Sequence, residues 1–342
     1  MITNSTKRRL ISAPQRERLE AQEKVLRQID PDLKANESLA EYSSFHIGGP
    51  ADFFSRPRSF EQLSALVVAA KELDLPVFYL GSGSNLLISD QGIRGLVIRL
   101  RDLCAIEYLG ALDQNDAWPV PSKQDEAVLI RAEAGIPMRE LAEHCEEWSL
   151  SGLEFAHGIP GSLGGAIFMN AGAYGGQMAE HVVAVRYMDH EGKLHVRTGE
   201  GSNFSYRRSY FMDERVMVLD VILQVVPGVR ETIRQTMDYL MDKRQASQPL
   251  EYPSAGSIFK RPEGFYAGKL ISDAGLKGCR IGGAVVSQKH AGFIINPEKH
   301  ATANDVRLLI RHIQETVLAE FNVQLELELR FVGDWGGLEE NL

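Results

Sequence analysis

Eight glycines fall between Gly152 and Gly176, around the run Gly158-Ile159-Pro160-Gly161-Ser162-Leu163-Gly164-Gly165. Glycine loses the most backbone entropy on folding and brings no side chain to bury, so this density argues against a packed helix or strand. The interleaved Phe155, Ile159, Leu163, Ile167, Phe168 and Met169 argue equally against a flexible linker. What remains is ordered backbone that comes close to something else. Turns whose N–H groups face phosphate oxygens are the usual case. The glycines therefore point to a nucleotide or dinucleotide, without choosing one.

Bulk properties narrow the classes. At 342 residues, 44% hydrophobic and 24% charged, the chain has material for two or three domains with sizeable cores. A net charge of −9 argues against a nucleic-acid partner, while leaving room for a local basic pocket around a small anion. No uninterrupted apolar run reaches the length of a membrane span, so no membrane insertion is expected. The basic Lys7-Arg8-Arg9 has no apolar segment behind it and does not read as a secretory signal. Three widely spaced cysteines, Cys104, Cys145 and Cys279, make neither a disulfide framework nor a zinc site, which fits a reducing cytoplasm.

Residues 1–37 read as a polar N-terminal extension holding a helix. Ser59-Phe60-Glu61-Gln62 resembles a capping box, with Leu63, Leu66, Val67 and Ala70 on one helical face as far as Leu73. Val77 to Leu80 reads as a buried strand running into Gly81-Ser82-Gly83-Ser84-Asn85, the strand–turn order at which α/β proteins place phosphates. Further strands are expected at 96–100, 129–132, 182–188 and 216–226, and an acidic exposed loop at 112–127. At Pro227-Gly228 the pattern changes. A glycine-rich β/α region over 38–228 gives way to a smaller α+β region over 229–342. Its helices are expected around Ile233, Met237, Leu240 and Met241, and from about Asn304 to Phe321.

Four segments exceed what folding demands: the turn at 81–85, the glycine-rich run at 152–176, Pro253 to Pro262, and Tyr206 to Ser209. The turn at 81–85 is, alone, most simply a β–α turn. Ser257, in Gly256-Ser257-Ile258-Phe259-Lys260-Arg261, is either a turn serine bonding its own backbone or a hydroxyl activated by two cations. Arg207 and Arg208, after Tyr206, are a solvated pair or a clamp for a carboxylate or phosphate. Glu326 and Glu328 alternate with leucines, which predicts a strand with both carboxylates on one face. His46, His157 and His290 lack metal-ligand spacing and no metal is expected.

Taken in order, seven segments resemble the UDP-N-acetylenolpyruvoylglucosamine reductases. They are Phe45-His46-Ile47-Gly48-Gly49-Pro50-Ala51, Leu80 to Leu87, Gly152-Leu153-Glu154-Phe155 with Gly158 to Gly161, and Met169 to Gly175. Tyr206-Arg207-Arg208-Ser209, Gly256 to Phe259, and Glu326 to Arg330 complete the set. The resemblance implies an α+β fold: an FAD-binding domain of the vanillyl-alcohol-oxidase type over 38–228, in two subdomains divided near 100, and a C-terminal α+β substrate-binding domain over 229–342. It implies FAD and NADPH as cofactors and UDP-N-acetylglucosamine enolpyruvate as the small-molecule substrate. Hydride addition at C3 of the enolpyruvyl group and protonation at C2 then give UDP-N-acetylmuramate, a cytoplasmic step of peptidoglycan precursor synthesis.

Residue by residue, the same likeness assigns Arg207 to charge stabilisation, Ser257 to proton donation and Glu328 to the catalytic carboxyl. It assigns the flavin to Gly81, Ser82, Gly83, Ser84 and Asn85, and to Gly158, Ile159, Pro160, Gly161, Ser162, Gly164, Gly165, Ala171 and Gly172. Tyr206, Lys260, Arg261 and Lys269 follow as substrate contacts. His46, Arg261 and Gly292 depart from the commonest family pattern. The last two, with Ala267 to Ile271, resemble the shorter branch, which lacks a tyrosine-bearing loop over the substrate.

Overall fold

The parallel arrangement of short strands behind Gly81 decides where a ligand can sit. The computed structural model describes residues 12–110 and 127–337, so the acidic loop expected at 112–127 lies, but for Ala127, outside the described residues. The chain begins with α1 (Ala13–Ile29), β1 (Lys34–Ser38), β2 (Pro50–Ser55), α2 (Phe60–Glu72), β3 (Val77–Leu80), β4 (Leu86–Ile88) and β5 (Ile93–Arg99). The first sheet runs β1-β2-β5-β3, with β2, β5 and β3 parallel. Ser59 caps α2 by accepting the Gln62 N–H at 3.2 Å. Leu63, Leu66, Val67 and Ala70 turn to the core. Residues 81–85 leave the carboxyl end of β3, outside which open parallel sheets place ligands.

A second sheet follows. Its elements are β6 (Ile106–Gly110), β7 (Val128–Glu133), α3 (Met138–Glu147), β8 (Leu150–Ser151), α4 (Leu163–Met169), β9 (Gly172–Ala173) and β10 (Gly176–Gln177). Then come β11 (Val182–Met188), β12 (Leu194–Thr198), α5 (Tyr210–Asp213) and β13 (Met217–Pro227). The antiparallel order is β12-β11-β13-β7-β6, with β8 joining β13. At its centre Asp220 is fully buried between Arg131, at 3.2 Å, and Arg186.

The third part comprises α6 (Arg230–Ser247), β14 (Ser254–Ser257), α7 (Ala267–Asp273), β15 (Arg280–Ile281), β16 (Ala284–Val286), β17 (Phe293–Ile295), α8 (Ala303–Phe321) and β18 (Arg330–Val332). Strands β14-β17-β16-β15 form its sheet, and β18 returns to pair in parallel with β4. Thr302 and Asp305 close a capping box on α8, and the Asp90 carboxylate accepts the Ala303 and Asn304 N–H groups at 2.8 and 3.1 Å. Phe45, Ile47 and Leu87 of the first part lie in the core of the third. Asn296 donates to the Phe45 carbonyl at 3.0 Å.

Four expectations change. Glycine density argued against a helix, yet α4 contains Gly164 and Gly165. A Cβ on Gly164 would lie 2.8 Å from the Ala134 Cβ, so glycine there permits close helix–sheet packing. Residues 1–37 are not wholly a detached polar extension, because Leu26 and Leu33 are buried in the main core and β1 pairs with β2. A boundary at 228 assigns α6 to the C-terminal part, but Ile233 and Met237 pack into the core of the second sheet. Glu326 and Glu328 do not share a strand face. The Glu328 and Leu329 N–H groups both reach the Ile258 carbonyl, which breaks the alternation. Glu326 is left 74% exposed and Glu328 17%.

Candidate active site

A cleft of about 2100 Å³ runs between the three parts. One wall is built from the two glycine loops, which touch: Ser84 Oγ donates to the Pro160 carbonyl at 2.9 Å. Gly83 has φ +65°, and a Cβ there would come within 2.2 Å of the Tyr42 carbonyl oxygen. Gly165 differs, since its Cβ position meets only Ser162 Oγ, at 3.6 Å, and opens to the cleft. Every residue expected at the flavin lines this cleft except Gly158. A Cβ on Gly158 would instead lie 2.9 Å from Arg244 Nε.

The opposite wall carries the candidate chemistry. Asn170 ends α4 in the left-handed conformation, with φ +43°. It is buried, donates to the Ser205 carbonyl at 3.0 Å and accepts from the Ala179 N–H at 3.0 Å. It therefore fixes the turn on which Tyr206 and Arg207 stand. Arg207, itself at φ +55°, donates from Nη2 to the Gly172 carbonyl at 3.0 Å and from Nε to Glu328 Oε1 at 2.8 Å. Asn85, in the first glycine turn, donates to the Glu328 carbonyl at 3.1 Å. Burial pushes the Glu328 carboxyl above the usual range, and the Arg207 charge and hydrogen bond offset part of that rise.

Ser257 ends β14, opposite Phe293 of β17, and its hydroxyl has no hydrogen-bond partner among the described residues. The preceding Gly256, at φ +75°, has open space at its Cβ position. Tyr206, Arg261 and Lys269 also line the cleft. Lys260 does not: its Nζ pairs with Glu326 at 3.3 Å, on the outer side of the segment. Among the described residues no cluster of three or more potential metal ligands occurs.

Three arginines in the cleft, Arg215, Arg244 and Arg330, were not singled out from the sequence. Arg244 is 7% exposed, donates to Gln248 at 3.2 Å and leaves its Nε without a partner. It continues the apolar stripe of Ile233, Met237 and Leu240, and a cation on a buried stripe is the signal that finds it. Arg330 lies over the Phe168 ring at 4.9 Å, its pKa lowered by burial and then by Arg215.

Similarity to known proteins matches this layout. The FAD binding domain pattern matches residues 51–198, and the C-terminal domain pattern of UDP-N-acetylenolpyruvoylglucosamine reductase matches 248–332. The chain is 44% identical over 304 residues to the UDP-N-acetylenolpyruvoylglucosamine reductase of Agathobacter rectalis, covering 89% of this chain and 95% of that one. It is 44% identical over 302 residues to the same-named protein of Latilactobacillus sakei, covering 88% and 94%.

The chain belongs to the UDP-N-acetylenolpyruvoylglucosamine reductase family. The solved reductase of Thermus caldophilus superposes with a TM-score of 0.69 at 32% identity, covering 88% of this chain and 98% of that one. The family fold, an FAD-binding region plus a C-terminal domain, is therefore the fold of this chain, and FAD is its flavin. The residues fit that group. Glycine backbone at Gly165 leaves room along one wall, and buried Arg244 offers an uncompensated charge to an anionic cofactor or substrate.

Proposed function

We propose that the protein reduces UDP-N-acetylglucosamine enolpyruvate to UDP-N-acetylmuramate, with NADPH as reductant, as a cytoplasmic step of peptidoglycan precursor synthesis. The observation that carries this reading is the meeting of Arg207, Ser257 and Glu328 in one cleft with the glycine cradle. Family membership supports the reaction class.

When bound, the flavin supplies the hydride that reaches C3 of the enolpyruvyl group. Addition there leaves negative charge on C2 and on the attached carboxylate. Arg207 meets that charge with a guanidinium already oriented by Gly172 and Glu328, so little reorganisation remains for the reaction. Ser257 gives its proton to C2, helped by the positive field of the same wall. Glu328 holds the Arg207 guanidinium in place and, when it carries a proton, donates a hydrogen bond to the developing enolate. Lys269 and Arg261 contribute positive charge to binding. The direct test is product analysis. Holoprotein, NADPH and the enolpyruvyl nucleotide should yield a nucleotide heavier by two hydrogens, and recovery of unchanged nucleotide would contradict the reading.

A further inference from the structure

His157 is the last residue before the loop Gly158-Ile159-Pro160-Gly161, and it does not line the cleft. Its side chain is 6% exposed. Nδ1 has no hydrogen-bond partner among the described residues. Nε2 stands 3.4 Å from Glu143 Oε1 of α3, an ion-pair distance without the alignment of a hydrogen bond. Two unbonded ring nitrogens on a buried imidazole cost free energy that an apolar side chain there would not. The role of this residue therefore lies in its proton.

The charges around His157 are unbalanced. From α3 comes Glu143, whose Oε1 also accepts from Arg139 Nε at 2.8 Å. Burial works against its charge, yet Arg139 and His157 together hold the Glu143 carboxyl below the usual range. From α6 comes Arg244, whose Nε would lie 2.9 Å from a Cβ on Gly158. That guanidinium is buried, and no carboxylate of the described residues pairs with it. From the β9–β10 hairpin comes Tyr174, its ring centroid 5.8 Å from Arg244 Cζ. Glu154, on the same turn as His157, is engaged by Ser151 Oγ at 2.6 Å and by the Gly152 N–H at 2.9 Å. A proton on His157 is thus favoured by Glu143 and opposed by Arg244 across Gly158. An anion in the cleft that Arg244 lines offsets the opposing charge and tips the balance toward the proton.

We propose that His157 is a positioning residue of the flavin loop: it takes up a proton as FAD binds and, in that form, pairs with Glu143 and anchors Gly158 to Gly161 on α3. The inference rests on FAD being the flavin of this family and not on the enolpyruvyl reaction. FAD brings a doubly negative diphosphate, and imidazole is the side chain that changes charge near neutrality. Because the proton is bound together with the anion, flavin affinity is highest on the acid side and falls as pH rises through the histidine range.

The test is fluorescence titration of flavin release from the holoprotein between about pH 6 and about pH 8, a window in which the FAD diphosphate stays ionised. Native protein should hold FAD roughly tenfold more tightly at the acid end, the linkage of one proton across one pH unit. His157→Gln should match native protein at the alkaline end and lose the gain at the acid end. Glu143→Gln should lose part of the same gain. His46, His190 and His290 also line the cleft, and the comparison with His157→Gln separates its proton from theirs. A merely structural histidine would weaken FAD alike at both ends, and that result would overturn the assignment. So would a native affinity that does not change with pH, or a native pH dependence surviving in His157→Gln. Turnover of the enolpyruvyl nucleotide does not enter this measurement, so its absence would strike the reductase reading and leave this one standing.

Discussion

Arg207 and Glu328, 121 residues apart in sequence, are joined by a 2.8 Å hydrogen bond from Nε to Oε1 across the cleft. The contact ties the turn after the glycine-rich segment to the end of the C-terminal part, and both residues line the cleft; in the proposed reaction the pair faces the substrate carboxylate. Arg207→Lys keeps the charge but loses the planar fork that holds Gly172 and Glu328 together. Its flavin reoxidation by substrate should slow by roughly 10²-fold, with a smaller change in substrate affinity. Single-turnover kinetics over a range of substrate concentrations separate the two. An affinity loss alone would make Arg207 a binding residue.

The Glu328 carboxyl keeps its proton to higher pH in the folded chain than in the unfolded chain, because burial outweighs Arg207. Folding therefore binds a proton between those two values, and this group's contribution to stability falls as pH rises through that window. Glu328→Gln removes the fall. Its Tm relative to native should rise from acid toward neutral pH, while reduction of the enolpyruvyl group is lost. A Tm difference that does not change with pH would show that burial is not the dominant influence on this carboxyl.

Two glycines of the cradle make opposite predictions. Gly165 faces open cleft, and a helical glycine replaced by a better helix former gains stability, so Gly165→Leu should fold and melt no lower than native apoprotein. It should be colourless, because the side chain fills the space assigned to the flavin. Gly83→Ala instead meets the Tyr42 carbonyl at 2.2 Å with φ +65°, and should lose more than about 1 kcal/mol of stability. Absorbance and thermal melts read both. A yellow Gly165→Leu protein would move the flavin away from this wall.

Much of this site was legible in the sequence. The strand ending at Leu80 and the turn at 81–85 follow from an apolar run cut by Gly and Ser, both local signals. Arg207, Ser257 and Glu328 could be assigned only through family likeness, since their meeting depends on long-range packing that no local pattern carries. Period-two alternation failed at Glu328, where two successive N–H groups share the Ile258 carbonyl, a register break invisible from residue types. Arg244 was missed because an arginine near a helix end ordinarily reads as solvated. Its place on the stripe of Ile233 and Met237 was the overlooked clue.

Stability of the second sheet should depend on Asp220. With that carboxylate fully buried between Arg131 and Arg186, Asp220→Asn removes the charge both arginines face and should cost about 3 kcal/mol. Chemical denaturation of the two proteins measures this. A change within experimental error would mean that the arginines are satisfied elsewhere.

The central claim is tested most directly by reducing the flavin of the holoprotein anaerobically with NADPH, removing NADP, and mixing with UDP-N-acetylglucosamine enolpyruvate. The account predicts rapid return of oxidised flavin absorbance in native protein. In Ser257→Ala, reduction by NADPH should be nearly normal and that return slower by roughly 10²- to 10⁴-fold. Native reduced flavin that ignores the nucleotide would contradict the reductase assignment, and an unimpaired Ser257→Ala would remove Ser257 as the proton donor.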